Sequence, residues 1–247
     1  MLEKLGKKLI LHFEIAGLKI SFDLAVMAVA VGVTLVLAAL AWWLKRGLPQ
    51  DPEAPPSRRA ALLSAAMEFA ETQLLGGFPK RLARDLLPLI MTIFLYVLLC
   101  NWASVLPIPY IVSPTQDLNV TMGLALMVYT LIHVYGARER GLWRHLKGYL
   151  EPYAFLLPMN LIGDFGRTLS HAFRLFGNIL GGAILTAIVL DLAAKAIKLI
   201  PALAPVALLG GISLGTFLNA WFGLFVGAIQ ALVFALLASA YIHIAVE

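Results

Sequence analysis

Charge is scarce in this chain. Of its 247 residues, 13% are Asp, Glu, Lys or Arg, while 61% are hydrophobic and the mean hydropathy is +0.87. Soluble domains carry about 25% charged residues, so a soluble globular fold is excluded and a polytopic membrane protein is expected. Cysteine occurs once, at Cys100, which rules out an internal disulfide and any cysteine-based metal cluster. Inside an apolar run that cysteine reads as a small filler. The net charge of +5 does not mark a nucleic-acid binder, because the basic residues sit between apolar runs and form no surface stripe. No internal repeat is evident, which counts against an inverted-repeat transporter.

What is present is a series of apolar runs. Residues 1–23 mix Lys4, Lys7, Lys8 and Lys19 with Glu3, Glu14 and Asp23, and read as an extramembrane segment. Leu24 to Leu44 carries no charge and is long enough to cross a hydrocarbon core of about 30 Å. It exceeds the apolar core of a signal peptide, about 7–15 residues, so a retained transmembrane helix is expected. Residues 45–85 read as a cytoplasmic linker with Pro49, Pro52, Pro55 and Pro56, followed by an interfacial amphipathic helix from Arg58 to Leu75. Residues 86–247 read as a helical membrane domain. Within it, Leu86–Leu106 and Val120–Tyr135 form a helical hairpin broken at Pro107 and Pro109. Two tracts of some 40 residues follow, about Pro152–Leu190 and Leu203–Ile244. Each is too long for one upright helix, so each is either two short spans or one long tilted or bent helix, with Gly210-Gly211 a plausible joint in the second. Lys and Arg number seven over residues 45–84, none over 107–119 and four over 138–147. The positive-inside rule then puts the N-terminus outside and the C-terminus in the cytoplasm.

Between the hairpin and the last tract lies a run that ought not to be in a membrane. Asp164, Arg167, His171, Arg174 and Asn178 recur at spacings of 3, 4, 3 and 4. On a helix they share an arc of roughly 80°, opposite Leu169, Phe173, Phe176 and Leu180. One arginine at mid-bilayer costs about 2.5–3.5 kcal/mol on insertion scales. The stripe must therefore face protein or water. In the final tract Asn219, Gly223, Gln230 and Tyr241 fall within about 40° of each other on a regular helix, and that face is expected against the Arg174 helix.

Arg174-Leu-Phe-Gly177-Asn178-Ile-Leu-Gly181-Gly182 closely resembles the signature of subunit a of F-type ATP synthases. Four further stretches resemble that family in the right order. They are Asn101-Trp-Ala-Ser-Val-Leu-Pro107, Pro114-Thr-Gln-Asp117-Leu-Asn119-Val-Thr121, Glu151-Pro152 with Pro158-Met-Asn160, and Gln230-Ala-Leu-Val-Phe234 with Tyr241 behind it. The resemblance covers roughly residues 60–247. It implies an all-α membrane fold whose long helices pack against a c ring, with b-type peripheral stalk subunits, the lipid bilayer and the rest of the synthase as partners. It implies no cofactor and no covalent chemistry on this chain. It implies that Arg174 is the essential arginine between two ion half-channels, with Asn178 and Gln230 beside it. An arginine stays protonated, so it can hold a passing ring carboxylate ionised and block direct passage of cations.

Two positions depart from the family's pattern. Ala183 and Gly223 stand where members often carry titratable residues of the entry half-channel. The expected substitutes are Asp164, Asp117, Asn119, His133 and His171, with Asp164 and His171 favoured for lying on Arg174's own face. Arg167 reads either as an ion-pair partner of Asp164 or as a side chain snorkelling to headgroups. Two other readings compete. One is a secondary ion transporter with Asp164 as ion site and Arg174 as gate. The other is an intramembrane serine protease built on Gly211-Ile-Ser213-Leu-Gly215 and His243. The coupling ion, H⁺ or Na⁺, stays open at this stage, because its binding carboxylate belongs to the ring. No transit peptide is visible, so a bacterial inner membrane is expected.

Overall fold

The computed structural model describes residues 10–15, 18–47, 57–106 and 112–247. The linker prolines Pro49, Pro52, Pro55 and Pro56, the hairpin prolines Pro107 and Pro109, and Lys4, Lys7 and Lys8 lie outside them. Among the described residues five helical segments are long and apolar enough to cross a membrane: Leu24–Lys45, Lys80–Ala103, Leu118–Arg140, Ala154–Leu199 and Pro201–Val246. The protein is an all-helical polytopic membrane protein. Among the described residues the one sheet is a short antiparallel pair, β1 (Ile10–Ile15) and β2 (Leu18–Asp23), within the segment expected outside the bilayer. The pair escaped notice in the sequence because six-residue strands are hard to distinguish from mixed loop.

Asp23 ends β2 and starts α1 (Leu24–Lys45): its carboxylate accepts from the amides of Ala25 and Val26 at 3.0 and 3.4 Å. Such a cap satisfies donors that the first helical turn leaves orphaned. Only Val26 and Val33 of α1 are buried, so this helix stands at the edge of the protein. α2 (Arg58–Phe69) buries nothing within the chain and widens into a π turn at Ala70–Leu74, where Ala70 and Leu74 enter the core.

The core lies between α3 (Lys80–Ala103), α4 (Leu118–Arg140) and the two long C-terminal helical columns. Leu86, Ile90 and Val97 of α3 face Ala231, Phe234, Ala235, Ala238 and Ile242 at the end of the chain. The alanines let the helices approach closely. Cys100 is fully buried at the far end of α3, as a filler should be. A short helix, α5 (Leu142–Gly148), follows α4 after Gly141, whose φ of 83° reverses the chain where a side chain would be strained.

The first long tract is one helix, α6 (Leu157–Leu199), unbroken over 43 residues. At 1.5 Å per residue it is about 64 Å long, twice the hydrocarbon thickness, and fits the core only when steeply inclined. The second column is α7 (Ala204–Ala220), a π segment (Trp221–Val226) and α8 (Gly227–Val246). The expected joint at Gly210-Gly211 is not there. Gly211 lies inside a regular helix, and its missing Cβ admits the side chain of Ala193. The irregularity sits ten residues later.

The π segment has an identifiable stabiliser. A widened turn leaves carbonyl oxygens off the regular ladder. Trp102 Nε1 donates to Leu224 O at 3.1 Å, and Asn101 Nδ2 donates to Gly227 O at 2.8 Å. Asn101 is fully buried, and its Oδ1 accepts from Thr115 Oγ1 at 2.7 Å. Thr115 in turn meets Ser113, which donates to Cys100 O. The Asn101-Trp102 motif thus ties the end of α3 to the widened turn and to the loop before α4.

Candidate functional site

The column α7–α8 runs antiparallel to α6, and the contacts fix the register. Gly215 faces Leu190, and a Cβ on Gly182 would lie 2.5 Å from Phe222 Cβ. The rings of His171 and Phe234 are 4.0 Å apart. Arg174 lies about 4.5 Å along α6 from His171, and Gln230 about 6 Å along α8 from Phe234 in the matching direction. The two are therefore level, across the same helix pair.

The buried stripe of α6 is Thr168, His171, Ala172, Leu175, Ile179 and Gly182. It overlaps the polar stripe only at His171. Asp164 and Asn178 are half-buried, while Arg167 and Arg174 are exposed. The polar stripe therefore runs along the seam where α6 leaves the protein's own core. Among the described residues Arg174 has no hydrogen bond and no ion pair. Asp164 pairs with Arg167 instead. A permanently charged side chain is left unneutralised on an otherwise apolar face that includes Phe173, Ile184 and Leu185.

Two openings flank Arg174. The first lies about 14 Å along α6 in the direction of Ala183. It is a small pocket of about 20 Å³ lined by Ser104, Gln116, Ile179, Gly182, Ala183, Asn219, Phe222 and Gly223. Ala183 and Gly223, far apart in sequence, meet here. A Cβ on Gly223 would meet Val105 and the Ser104 hydroxyl, so the glycine lets α3 close against the π segment. The polar lining consists of hydroxyl and amide groups. Ser104 and Gln116 were missed by the sequence reading, because neither periodicity nor charge singles them out.

The second opening lies about 15 Å from Arg174 in the other direction. It is a cleft of about 430 Å³ whose walls include His133 and Arg140 of α4, His145 of α5, Tyr149, Asp164 and Arg167 of α6, and Tyr241 of α8. Tyr149 Oη donates to Asp164 and lies 2.9 Å from His133 Nε2. Asn160 on the first turns of α6 donates to Tyr149 O at 2.9 Å and to Glu151 O at 3.2 Å, which holds the α5–α6 connection in place. His145 is buried against Gly136, where any Cβ would come within 2.7 Å of the imidazole. Burial, then His133 and Arg140, hold the His145 imidazole below its ordinary basicity. Burial, then the hydrogen bond to Asp164, push the Tyr149 phenol upward, so it keeps its proton. Tyr149 and His145 were also missed. They belong to a basic stretch that carried only a topology signal in the sequence.

The predicted residues therefore do not form one group. Asp117 and Asn119 lie at the opposite end of α4 from His133, about 21 Å away. Asp117 Oδ1 accepts from the Asn119 amide at 2.8 Å and from Asn119 Nδ2 at 3.0 Å, capping α4. Asp164 and His133 share the cleft, and His171 is buried between Phe234 and Tyr241. The regular projection of Asn219, Gly223, Gln230 and Tyr241 does not carry through the π segment. Asn219 and Gly223 line the small pocket, Gln230 is level with Arg174, and Tyr241 reaches the cleft. Ser213 sits exposed in mid-helix on α7, and His243 lies about 45 Å further along the same column. They form no dyad, and the strand–turn–helix context of a serine nucleophile is absent among the described residues, which removes the protease reading.

A family model described as ATP synthase A chain matches residues 24–243. The chain is 33% identical over 230 residues to ATP synthase subunit a of Acidothermus cellulolyticus, covering 91% of this chain and 77% of that protein. It is 34% identical to ATP synthase subunit a 1 of Crocosphaera subtropica, covering 85% and 81% of the two chains. It is 35% identical to ATP synthase subunit a 2 of a Picosynechococcus species, again covering 85% and 81%.

Proposed function

The chain belongs to the ATP synthase A-chain family, with the stator subunit a role in an F-type ATP synthase, and we propose that two ion half-channels reach α6 on opposite sides of Arg174. It works in a complex with other ATP synthase subunits, and neither competing reading, transporter or protease, has support. The partners on this reading are a c-subunit ring against the exposed face of α6 and α7, and b-type stalk subunits elsewhere. On this reading the membrane is a bacterial inner membrane, and the distribution of Lys and Arg supports the N-terminus outside and the C-terminus cytoplasmic.

The observation that carries the reading is an unpaired arginine between two separate openings. An ion enters from the outside through the Ser104, Gln116, Ala183, Asn219 and Gly223 pocket. It binds a ring carboxylate, travels with the ring, and leaves through the Asp164 cleft. Arg174 holds the empty carboxylate ionised as it passes, and its charge repels any cation moving straight from one opening to the other. Asn178 and Gln230 offer neutral hydrogen bonds at the same contact. With Ala183 and Gly223 untitratable, water held by hydroxyl and amide groups does the work of the entry relay. Asp164 and His133 lie on the cytoplasmic side of Arg174, so they serve the exit, and Asp117 and Asn119 hold the outer end of α4. His171 fills the seam beside Arg174. Replacing Arg174 with alanine in the whole complex is expected to abolish ion-driven ATP synthesis in membrane vesicles. Normal synthesis would overturn the proposal.

A further inference from the structure

The cleft contains a hydrogen-bond set that is one proton short. His133 Nδ1 lies 2.9 Å from the carbonyl oxygen of Tyr129, one turn back on α4. A carbonyl only accepts, so Nδ1 carries a hydrogen and the neutral ring presents a bare lone pair at Nε2. That lone pair is 2.9 Å from Tyr149 Oη. On its other side the same hydroxyl meets Asp164 Oδ2, and an ionised carboxylate also only accepts. One phenolic hydrogen faces two acceptors. With neutral His133 and ionised Asp164, one of the two contacts has no hydrogen in it.

We infer that His133, Tyr149 and Asp164 together hold one dissociable proton at the inner mouth of the ion path. The inference rests on the half-channel reading and commits the coupling ion to H⁺. The added proton completes the set in either of two ways. With the proton on Asp164, the acid donates to Tyr149 Oη, which donates to His133 Nε2. With the proton on His133, Nε2–H donates to Tyr149 Oη, which donates to the carboxylate. The two forms interconvert when the acid proton moves to Oη as the phenolic proton moves to Nε2, with no change in total protons. The set as a whole is the store, and both ends reach cleft water, His133 being 29% and Asp164 15% exposed.

The surroundings are balanced for such a role. Arg140 of α4 and Arg167 of α6 oppose an added positive charge, and Asp164 with Glu151 on the α5–α6 connection favours it. Arg167 binds the other carboxylate oxygen, Oδ1, which leaves Oδ2 for the relay. His145 of α5 lies edge-on to His133 at 5.4 Å, so a charge on one ring disfavours a charge on the other. Tyr241 of α8 closes the wall. A proton leaving the ring finds an acceptor before it reaches bulk water. In ATP-driven pumping the same store supplies the next proton when the cytoplasm is alkaline and free protons are few.

The test uses the whole complex in vesicles, with ATP-driven acidification measured against cytoplasm-side pH and each profile normalised to its own maximum. Tyr149→Phe removes the hydroxyl that bridges acid and imidazole, whose own Oδ2 and Nε2 stand 3.9 Å apart. Its rate is expected to fall about threefold or more between pH 7 and 8.5, while the parent's falls less than twofold. His133→Gln separates storage from scaffolding, because the amide still donates to Tyr149 Oη but holds no dissociable proton. It is expected to follow the Tyr149→Phe profile. A Gln variant that keeps the parent profile overturns the inference, as does overlap of all three profiles or Na⁺-dependent, pH-independent pumping. An Arg174→Ala complex run alongside reports on the half-channel reading. Pumping that persists there refutes that reading, whatever the shape of the other profiles.

Discussion

Removing the side chain of Asn101 tests how the widened turn is held. Asn101→Ala deletes the donor to Gly227 O and the acceptor for Thr115 Oγ1, both at a fully buried position. An abandoned buried acceptor costs about 1–3 kcal/mol. Thr115 keeps its contact with Ser113, so its share is about 0.5–1 kcal/mol. Hydrogen bonds within membranes average nearer 0.6 kcal/mol because partners are found elsewhere, which lowers the sum. The expected cost is about 1–3 kcal/mol. Without that bond α3 no longer holds the start of α8 against the widened turn. A one-residue return to regular helix would turn everything after it by about 100° and shift it by 1.5 Å. Gln230 would then leave the level and face of Arg174. The assay is paired: the unfolding midpoint of the purified complex in detergent, and ATP-driven pumping at fixed complex content. Both are expected to fall. Trp102→Phe loses the bond to Leu224 O at an exposed position and is expected to cost about 0.5–1 kcal/mol. If the two variants cost the same, or Asn101→Ala leaves stability and pumping intact, the argument from buried acceptors is wrong.

Three other outcomes follow from the structure. Gly182→Ala places a Cβ 2.5 Å from Phe222 Cβ and is expected to prevent normal assembly, whereas Gly123→Ala, with nothing within 4 Å, is expected to assemble as the parent does; recovery of complex after solubilisation checks both. Gln116→Leu makes the small pocket less polar and is expected to slow ion-driven synthesis severalfold at a fixed ion gradient; an unchanged rate would remove Gln116 from the entry path. His145 is held below its ordinary value, so its neutral form stabilises the fold fully above the unfolded value of 6.5, and that contribution is lost as pH falls below it. The unfolding midpoint is therefore expected to drop below about pH 6.5, and the drop is expected to shrink in His145→Gln.

The polar stripe of α6 was readable because a charged residue in an apolar run has no neutral explanation. Arg174, Asp164 and His171 each announced themselves by cost. The cleft did not, because its walls come from four helices. His133 was one relay candidate among five, with nothing to join it to Asp164, and Tyr149 follows a basic stretch. Their shared proton follows from distances across α4, the α5–α6 connection and α6. The small pocket was hidden for the opposite reason. Ala183, Gly223, Ser104 and Gln116 are cheap residues in a membrane chain, and only packing brings them together.

The resemblance of its motifs pointed to the family, and composition and periodicity determined that this chain spans a membrane as helices and that the Arg174 stripe is too costly to face lipid. These follow from local quantities: transfer cost per residue and the angle between successive side chains. Whether the 40-residue tracts were one helix or two was a tertiary matter, because it depends on partners such as Ala193 for Gly211, Trp102 for Leu224 O and Asn101 for Gly227 O. The division of the predicted residues between two openings was tertiary as well. Residues on one helical face can share an angle and still stand 15–30 Å apart along the axis, and it is height along α6 that assigns each one to its side of Arg174.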